Sequence, residues 1–406
     1  EAEKKKAEAE KKKAEAEKKK MMQEGLKSET NNYKIKKYYF HKKYDHIAIV
    51  DENFPDNTIE LIAIDGNKPF ATDFRNYLNV YKVNLNLNNK EVNEHKIFDI
   101  NDSFRSLDVL FTDNKKIFIS HVSQSDSGFF HLNVDELIFN NGKYELDKIF
   151  KSKGVPPPML PAQAGGKMVE LDANFIFLAI GDFERSDLVD DIGSNHGKVV
   201  KIDINNKSYE IYSKGLRNPQ GLYFNKNTNS LIETEHGPMG GDEINLILKD
   251  KDYGWPNVTY GMEYGANKIY WSLGNNGGAK YGRHEGYEKP IFSFIPSIGI
   301  KSIEMMPFEN PEFSIWGGNY LFCSARGIYR AMLSEDQSRL IAYEIIKKKV
   351  CRDIAISPTG KIITNGLNVI IRDKDYKARH WVLIRFNQSF LCNEKGYGWW
   401  SILPIF

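Results

Sequence analysis

Residues 221–237 read GLYFNKNTNSLIETEHG, an apolar run, a turn of Asn, Lys, Thr and Ser, then a second apolar run. Two such runs around a polar turn are the pattern of paired antiparallel strands. The module recurs outward in both directions. Upstream it reads LDVLFTDNKKIFISH (107–121) and KMVELDANFIFLAIGD (167–182), and downstream IEMMPFENPEFSIWGGNYLFCSA (303–325) and DIAISPTGKIITNG (353–366). Further strand candidates fill the gaps, such as KVVKIDINNKSYEIYSKG (198–215) and EINLILKD (243–250). The modules recur at the scale of four-stranded propeller blades, and the stretch from 44 to 375 divides into six units of about 55 residues. The expectation is an all-β chain: a six-bladed β-propeller over 33–375, with a charged helical tail at 1–32 and a C-terminal tail at 376–406 that fits no blade.

The N-terminal tail repeats EAEKKKA, and Ala, Glu and Lys are strong helix formers. Its only apolar residue is alanine at spacings of two and five, so it has no coiled-coil seam and reads as a solvated helix or frayed tail. Nine of the 56 Lys and Arg and six of the 54 Asp and Glu lie in its first twenty residues, which leaves the remaining chain near neutrality. A near-neutral body lacks the cationic surplus that nucleic acid requires, so no nucleic-acid partner is expected. No apolar run is long enough for a membrane span, and no signal sequence opens the chain. Cys323, Cys351 and Cys392 are widely spaced and odd in number, and are read as buried thiols. The nine histidines form no HxH or HExxH cluster, and Walker, GxSxG and dinucleotide motifs are absent.

Three glycine-rich charged segments lie close together: GLRNPQG (215–221), EHGPMGGDEIN (235–245) and DYGWP (252–256). Gly237, Gly240 and Gly241 permit a loop that turns carbonyl oxygens toward one point, and Glu235, Asp242 and Glu243 lie beside it. Carbonyl and carboxylate oxygens suit a hard cation such as calcium, while a glycine turn with solvated acids reads equally well. Arg217 offers a planar fork of donors for carboxylates, or a tie to backbone carbonyls. The stretch 251–290, rich in Gly, Tyr and Asn, reads as a long loop of the kind that walls a ligand site.

In their order and spacing, GLRNPQGLYF (215–224), ETEHGPMGGDEINLI (233–247) and DYGWPNVTYGMEYG (252–265) resemble the soluble quinoprotein glucose dehydrogenase and aldose sugar dehydrogenase family. The resemblance extends more weakly over RSLDVLF (105–111) and CRDIAISPTGK (351–361). It implies a six-bladed propeller that uses pyrroloquinoline quinone (PQQ) and calcium to oxidise sugars, in the periplasm or outside the cell. Carried over by position, Arg217, Asn218, Asp242 and Arg352 hold or flank the quinone. The carbonyls of Gly237 and Pro238 bind its calcium, and Glu243 with the Tyr253 carbonyl forms a structural calcium site.

The departures concern the chemistry. In PAQAGGKMV (161–169) Gln163 stands where the family has the histidine that takes the sugar hydroxyl's proton. An amide cannot do so, which makes His236 or His196 a candidate substitute base and makes a non-catalytic binding or structural propeller the alternative. A histidine or carboxylate within about 4 Å of the site beside Gln163 would favour the enzyme, and a mouth empty of any base would favour the binder. A family lysine falls on Ala325, one of two paired arginines on Val350, and a cofactor glutamine near Ser103, so the site is expected to have lost two cations.

Overall fold

A computed structural model describes residues 33–37, 44–53, 56–65, 77–156, 162–261, 284–365 and 368–372. The tails 1–32 and 376–406, and most of the 251–290 loop, lie outside the described residues. Within them the chain is all-β with two single-turn 3-10 helices, in a propeller-like arrangement. The strands form six sheets, built mainly from consecutive antiparallel strands. There are two exceptions: Lys251–Asp252 joins Ser208–Lys214 in parallel, and Tyr33–Lys37 pairs with Asn368–Arg372, so the two ends of the described chain share one sheet.

The first strand of each sheet packs against the first strand of the next. The series runs Tyr44–Asn53, Ser103–Phe111, Gly165–Glu170, Pro219–Asn225, Ile300–Met305 and Ile354–Ile356, and the last returns to the first. These six strands enclose a channel. Apolar clusters sit between neighbouring sheets: one joins Ile62 and Leu78 to Val109 and Ile119, another Leu132 to Ile176, and another Tyr44 to Ile363. Burial explains the sequence texture. Ser230–Glu235, covered on both faces, is almost wholly buried, whereas the outer strand Val92–Asn101 alternates and carries the charges.

Five of the six inner strands break register with their neighbour near their starts, at Tyr44/His46, Ser103/Arg105, Gly165/Lys167, Pro219/Gly221 and Ile300/Ile303. Bulges at a barrel rim re-aim side chains. Here they turn the strand starts toward one end of the channel.

One expectation is corrected. Cys323 and Cys351, read from sequence as buried thiols, form a disulfide with Cα atoms 4.9 Å apart. The intervening hairpin returns the chain to the end of the 320–324 strand, where the Cys351 amide donates to the Ser324 carbonyl at 3.0 Å. The bond ties the 320–324 strand to the next sheet.

Candidate functional site

The starts of the inner strands bring Asp45, Arg105, Gln163, Arg217, Lys301 and Arg352 to one mouth of the channel. Arg217 is held from three sides. Its amide donates to the Glu235 carboxylate, its Nη1 donates to the carbonyls of His236 and Gly237 at 3.0 Å each, and its guanidinium lies 5.4 Å from the Trp255 ring centroid. Of the two uses foreseen for this arginine, the carbonyl tie is the one seen. The Asn218 amide shares the Glu235 carboxylate at 3.1 Å, and its side-chain oxygen accepts from Gln220.

Gln163 has φ +51°, a left-handed conformation costly for a residue with a Cβ. Phe183 and Glu184, which pack on it, are left-handed too. With the amide oriented so that donors meet acceptors, Nε2 donates to Asp182 Oδ1 and Oε1 accepts from Arg217 Nη2, both at 3.1 Å. Asp182 also accepts from Trp255 Nε1 and from the Glu184 amide, each at 2.8 Å. Burial pushes its carboxyl up to about 6, against the pull of Arg217. A carboxylate therefore lies directly behind the Gln163 amide. Asp182 and Trp255 were not singled out from sequence; an acid ending the apolar run FIFLAIGD was the available signal.

The two histidines differ. His196 is fully buried, bonded through Nδ1 to Ser194 and edge-on to Phe183, and burial with Lys198 lowers it to about 3. It is a packing residue. His236 is half-buried, donates to the Gly299 carbonyl, and leaves Nε2 without a partner. Burial, aided by Lys301 and opposed by Asp242, holds it below the usual imidazole range.

Asp242 is buried and accepts the amides of Ile298 and Ile300, both at 3.0 Å, so it fixes the turn that leads to Lys301. The Gly237 carbonyl faces Arg217, and the Pro238 carbonyl accepts from the Gly241 amide and Ser297 Oγ. Glu243 stands opposite Glu235 in register, with Glu233 and Asn245 on the same face. Burial raises all three glutamates, Glu235 to about 7, and Glu233 Oε1 and Asn245 Oδ1 have no partner. The Tyr253 hydroxyl is tied to the Leu246 carbonyl and the Leu248 amide.

At the other side of the mouth Arg352 Nη1 is 3.7 Å from Asp45. Burial, Arg352 and then Arg105 hold Lys301 below the ordinary lysine range, and burial with Arg352 lowers Arg105 to about 10. Ser103, aligned with a cofactor glutamine, is fully buried and bonds His121, which bonds Asp135, each at 2.6 Å.

One step deeper lies a second charged layer around a cavity of about 220 Å³. Lys167 Nζ is 2.7 Å from Asp108, 3.1 Å from Asp353 and 3.4 Å from His46 Nδ1. His46, Asp108 and Asp353 lie close enough to hold a metal, but the Lys167 ammonium stands among them as the cation. Burial alone would raise Asp353, yet Lys167 and His46 hold it well below the usual carboxylate range.

A family model described as glucose/sorbosone dehydrogenase matches residues 105–369. The chain belongs to that family. The Escherichia coli aldose sugar dehydrogenase YliI is 32% identical over 165 residues, 37% of this chain and 42% of that protein. The Acinetobacter calcoaceticus quinoprotein glucose dehydrogenase B is 40% identical over 102 residues, 20% of this chain and 21% of that one. The chain thus spans less than half the length of the curated relatives it matches. Among solved structures, the apo E. coli aldose sugar dehydrogenase superposes with a TM-score of 0.62 at 19% identity, over 84% of this chain and 99% of that one. The PQQ-bound enzyme of Streptomyces coelicolor gives 0.57 at 14%, over 84% and 98%. At these identities the structural likeness concerns the fold. No helix of the described residues is long and apolar enough to cross a membrane.

Proposed function

We propose that this chain is a six-bladed propeller that binds PQQ at the cationic mouth and works as a slow aldose dehydrogenase, with Gln163 limiting its turnover. The observation that carries the reading is the cation surplus: Arg105, Lys301 and Arg352 converge with Asp45 as the acid among them. PQQ is a tricarboxylate, so the donor set fits it. Bound there, the quinone would supply the acceptor for a hydride from the sugar carbon.

The chain's own residues would do the rest. Arg217 and Arg352 would hold carboxylates, with Asn218 beside them, and Asp242 would keep the 298–300 turn in place. The sugar hydroxyl must lose a proton, and the Gln163 amide cannot take it. Asp182, behind that amide, is largely ionised at neutral pH, and His236 Nε2 is the other acceptor near Arg217. Loss of a positioned base typically costs about 10²–10⁴-fold in rate. Gln163→His should therefore raise sugar-dependent quinone reduction by a factor of that order, with quinone affinity little changed. A variant that holds the quinone and turns over no faster would remove Gln163 from this role.

Calcium fits best beside Glu243, where buried acids crowd and Glu233 Oε1 lacks a partner. The Tyr253 carbonyl would complete that site. The Gly237 and Pro238 carbonyls already accept protein donors, so a calcium there must use their second lone pairs. The Cys323–Cys351 disulfide supports an oxidising compartment, hence a periplasmic or extracellular setting. The second reading, a calcium-braced binding or structural module, is favoured by the engagement of both ends of the Gln163 amide. Quinone binding with no sugar-dependent reduction, in the parent and in Gln163→His alike, would select it.

A further inference from the structure

We propose that Lys301, flanked by Arg105, is the carboxylate anchor of the channel mouth, supplying from the neighbouring strand the charge that position 325 lacks. The identity of the ligand as PQQ rests on the function proposed above; the polycarboxylate chemistry rests on the mouth itself.

Ala325 ends the 320–324 strand and donates its amide to the Gly299 carbonyl at 2.9 Å. The backbones there are so close that a Cβ at Gly299, whose φ is +64°, would come within 2.7 Å of the Ala325 Cβ. Lys301 follows two residues on, inside the bulge between Ile300 and Ile303. Thr234 Oγ1 donates to the Lys301 carbonyl at 2.6 Å, and Ser302 Oγ donates to the Arg352 carbonyl at 3.3 Å. Both bonds pin the bulge, and the second ties it to the segment that carries Arg352. A lysine raised on this bulge therefore shares the mouth with Arg352 and Arg105.

Lys301 makes no ion pair among the described residues, whereas Lys167, one layer deeper, makes two. Burial, Arg352 and Arg105 disfavour its charge, and Asp45 offsets them only in part. An arriving carboxylate would relieve that cost, since it restores the opposite charge in a partly desolvated place. The sequence comparison that counts position 325 as a lost cation misses this, because the replacement lies 24 positions earlier in the chain and meets 325 only through sheet pairing.

The test is isothermal titration of the purified chain with PQQ and, separately, with citrate as a plain tricarboxylate, for the parent, Lys301→Ala and Lys301→Ala with Ala325→Lys. A charged hydrogen bond of this kind corresponds to roughly 10- to 100-fold in affinity. Lys301→Ala should weaken both ligands by that factor, and Ala325→Lys should recover most of it, while thermal unfolding shows the variants folded. Equal quinone affinity in the parent and in Lys301→Ala would overturn the assignment and leave the quinone reading standing. Citrate binding that depends on Lys301, with no quinone binding, would uphold the anchor and end the quinone reading. No binding of either ligand to the parent would overturn both.

Discussion

Two charged layers line the same channel one step apart, and they are organised in opposite ways. In the deeper layer a lysine is matched by two aspartates and a histidine, all buried. At the mouth Arg105, Lys301 and Arg352 gather around Asp45, and Arg352 lowers both Arg105 and Lys301. Charges that close among themselves serve the architecture; a surplus of one sign suits a ligand of the other. Adjacent residues make the point, since Arg352 belongs to the mouth and Asp353 to the interior.

The comparison breaks first if the deeper layer proves dispensable. Lys167→Met would leave Asp108 and Asp353 buried without their cation, and removing one partner of a buried pair typically costs about 3–5 kcal/mol. Urea unfolding should show a loss of that size; a loss under about 1 kcal/mol would mean the layer is wet and screened.

Opening the disulfide comes next. Replacing Cys323 and Cys351 together by Ser should lower stability by about 2–4 kcal/mol, as for a bond that closes a loop of this length. Because Cys351 directly precedes Arg352, quinone affinity should fall as well, whereas an effect confined to stability would detach the bond from the mouth.

Glu304 sharpens the picture of the cavity. Burial, then Asp353 and Asp108, push its carboxyl up to about 8. The folded chain therefore binds a proton there that the unfolded chain, with an ordinary glutamate, releases at lower pH. Its stabilising effect is complete below the ordinary glutamate range and is lost as pH rises from there to about 8. Glu304→Gln should gain on the parent across that window by about 1 kcal/mol per pH unit, measured by thermal unfolding at pH 5 to 8.5. A parallel pair of curves would refute it. The smallest effect belongs to the mouth: Lys301→Ala should change stability by no more than about 0.5 kcal/mol.

Much of the fold was legible because strands and turns are local. The modules at 107–121, 167–182, 221–237, 303–325 and 353–366 each contain the hairpin expected of them. The loop at 235–245 was legible too, since glycines and acids there are concentrated in a few residues. What escaped depends on ring closure, which brings together segments more than 300 residues apart, as in the bond of the Ile47 amide to Asp353. A faint signal existed: a charge flanked by apolar or small residues inside a first strand, at Asp108, Lys167 and Glu304. It identifies channel positions but not how they pair. The disulfide was missed for the same reason, because spacing in sequence says little about the edge to which a hairpin returns.

The central claim is that the mouth, and not the layer beneath it, is the ligand site. Its most direct test is absorbance titration of the purified chain with PQQ in excess calcium, at low and at high salt. Saturable binding that weakens with salt is the expected result, because the contacts are between cations and carboxylates at an open mouth. No binding at tens of micromolar quinone, or binding indifferent to salt, would contradict it.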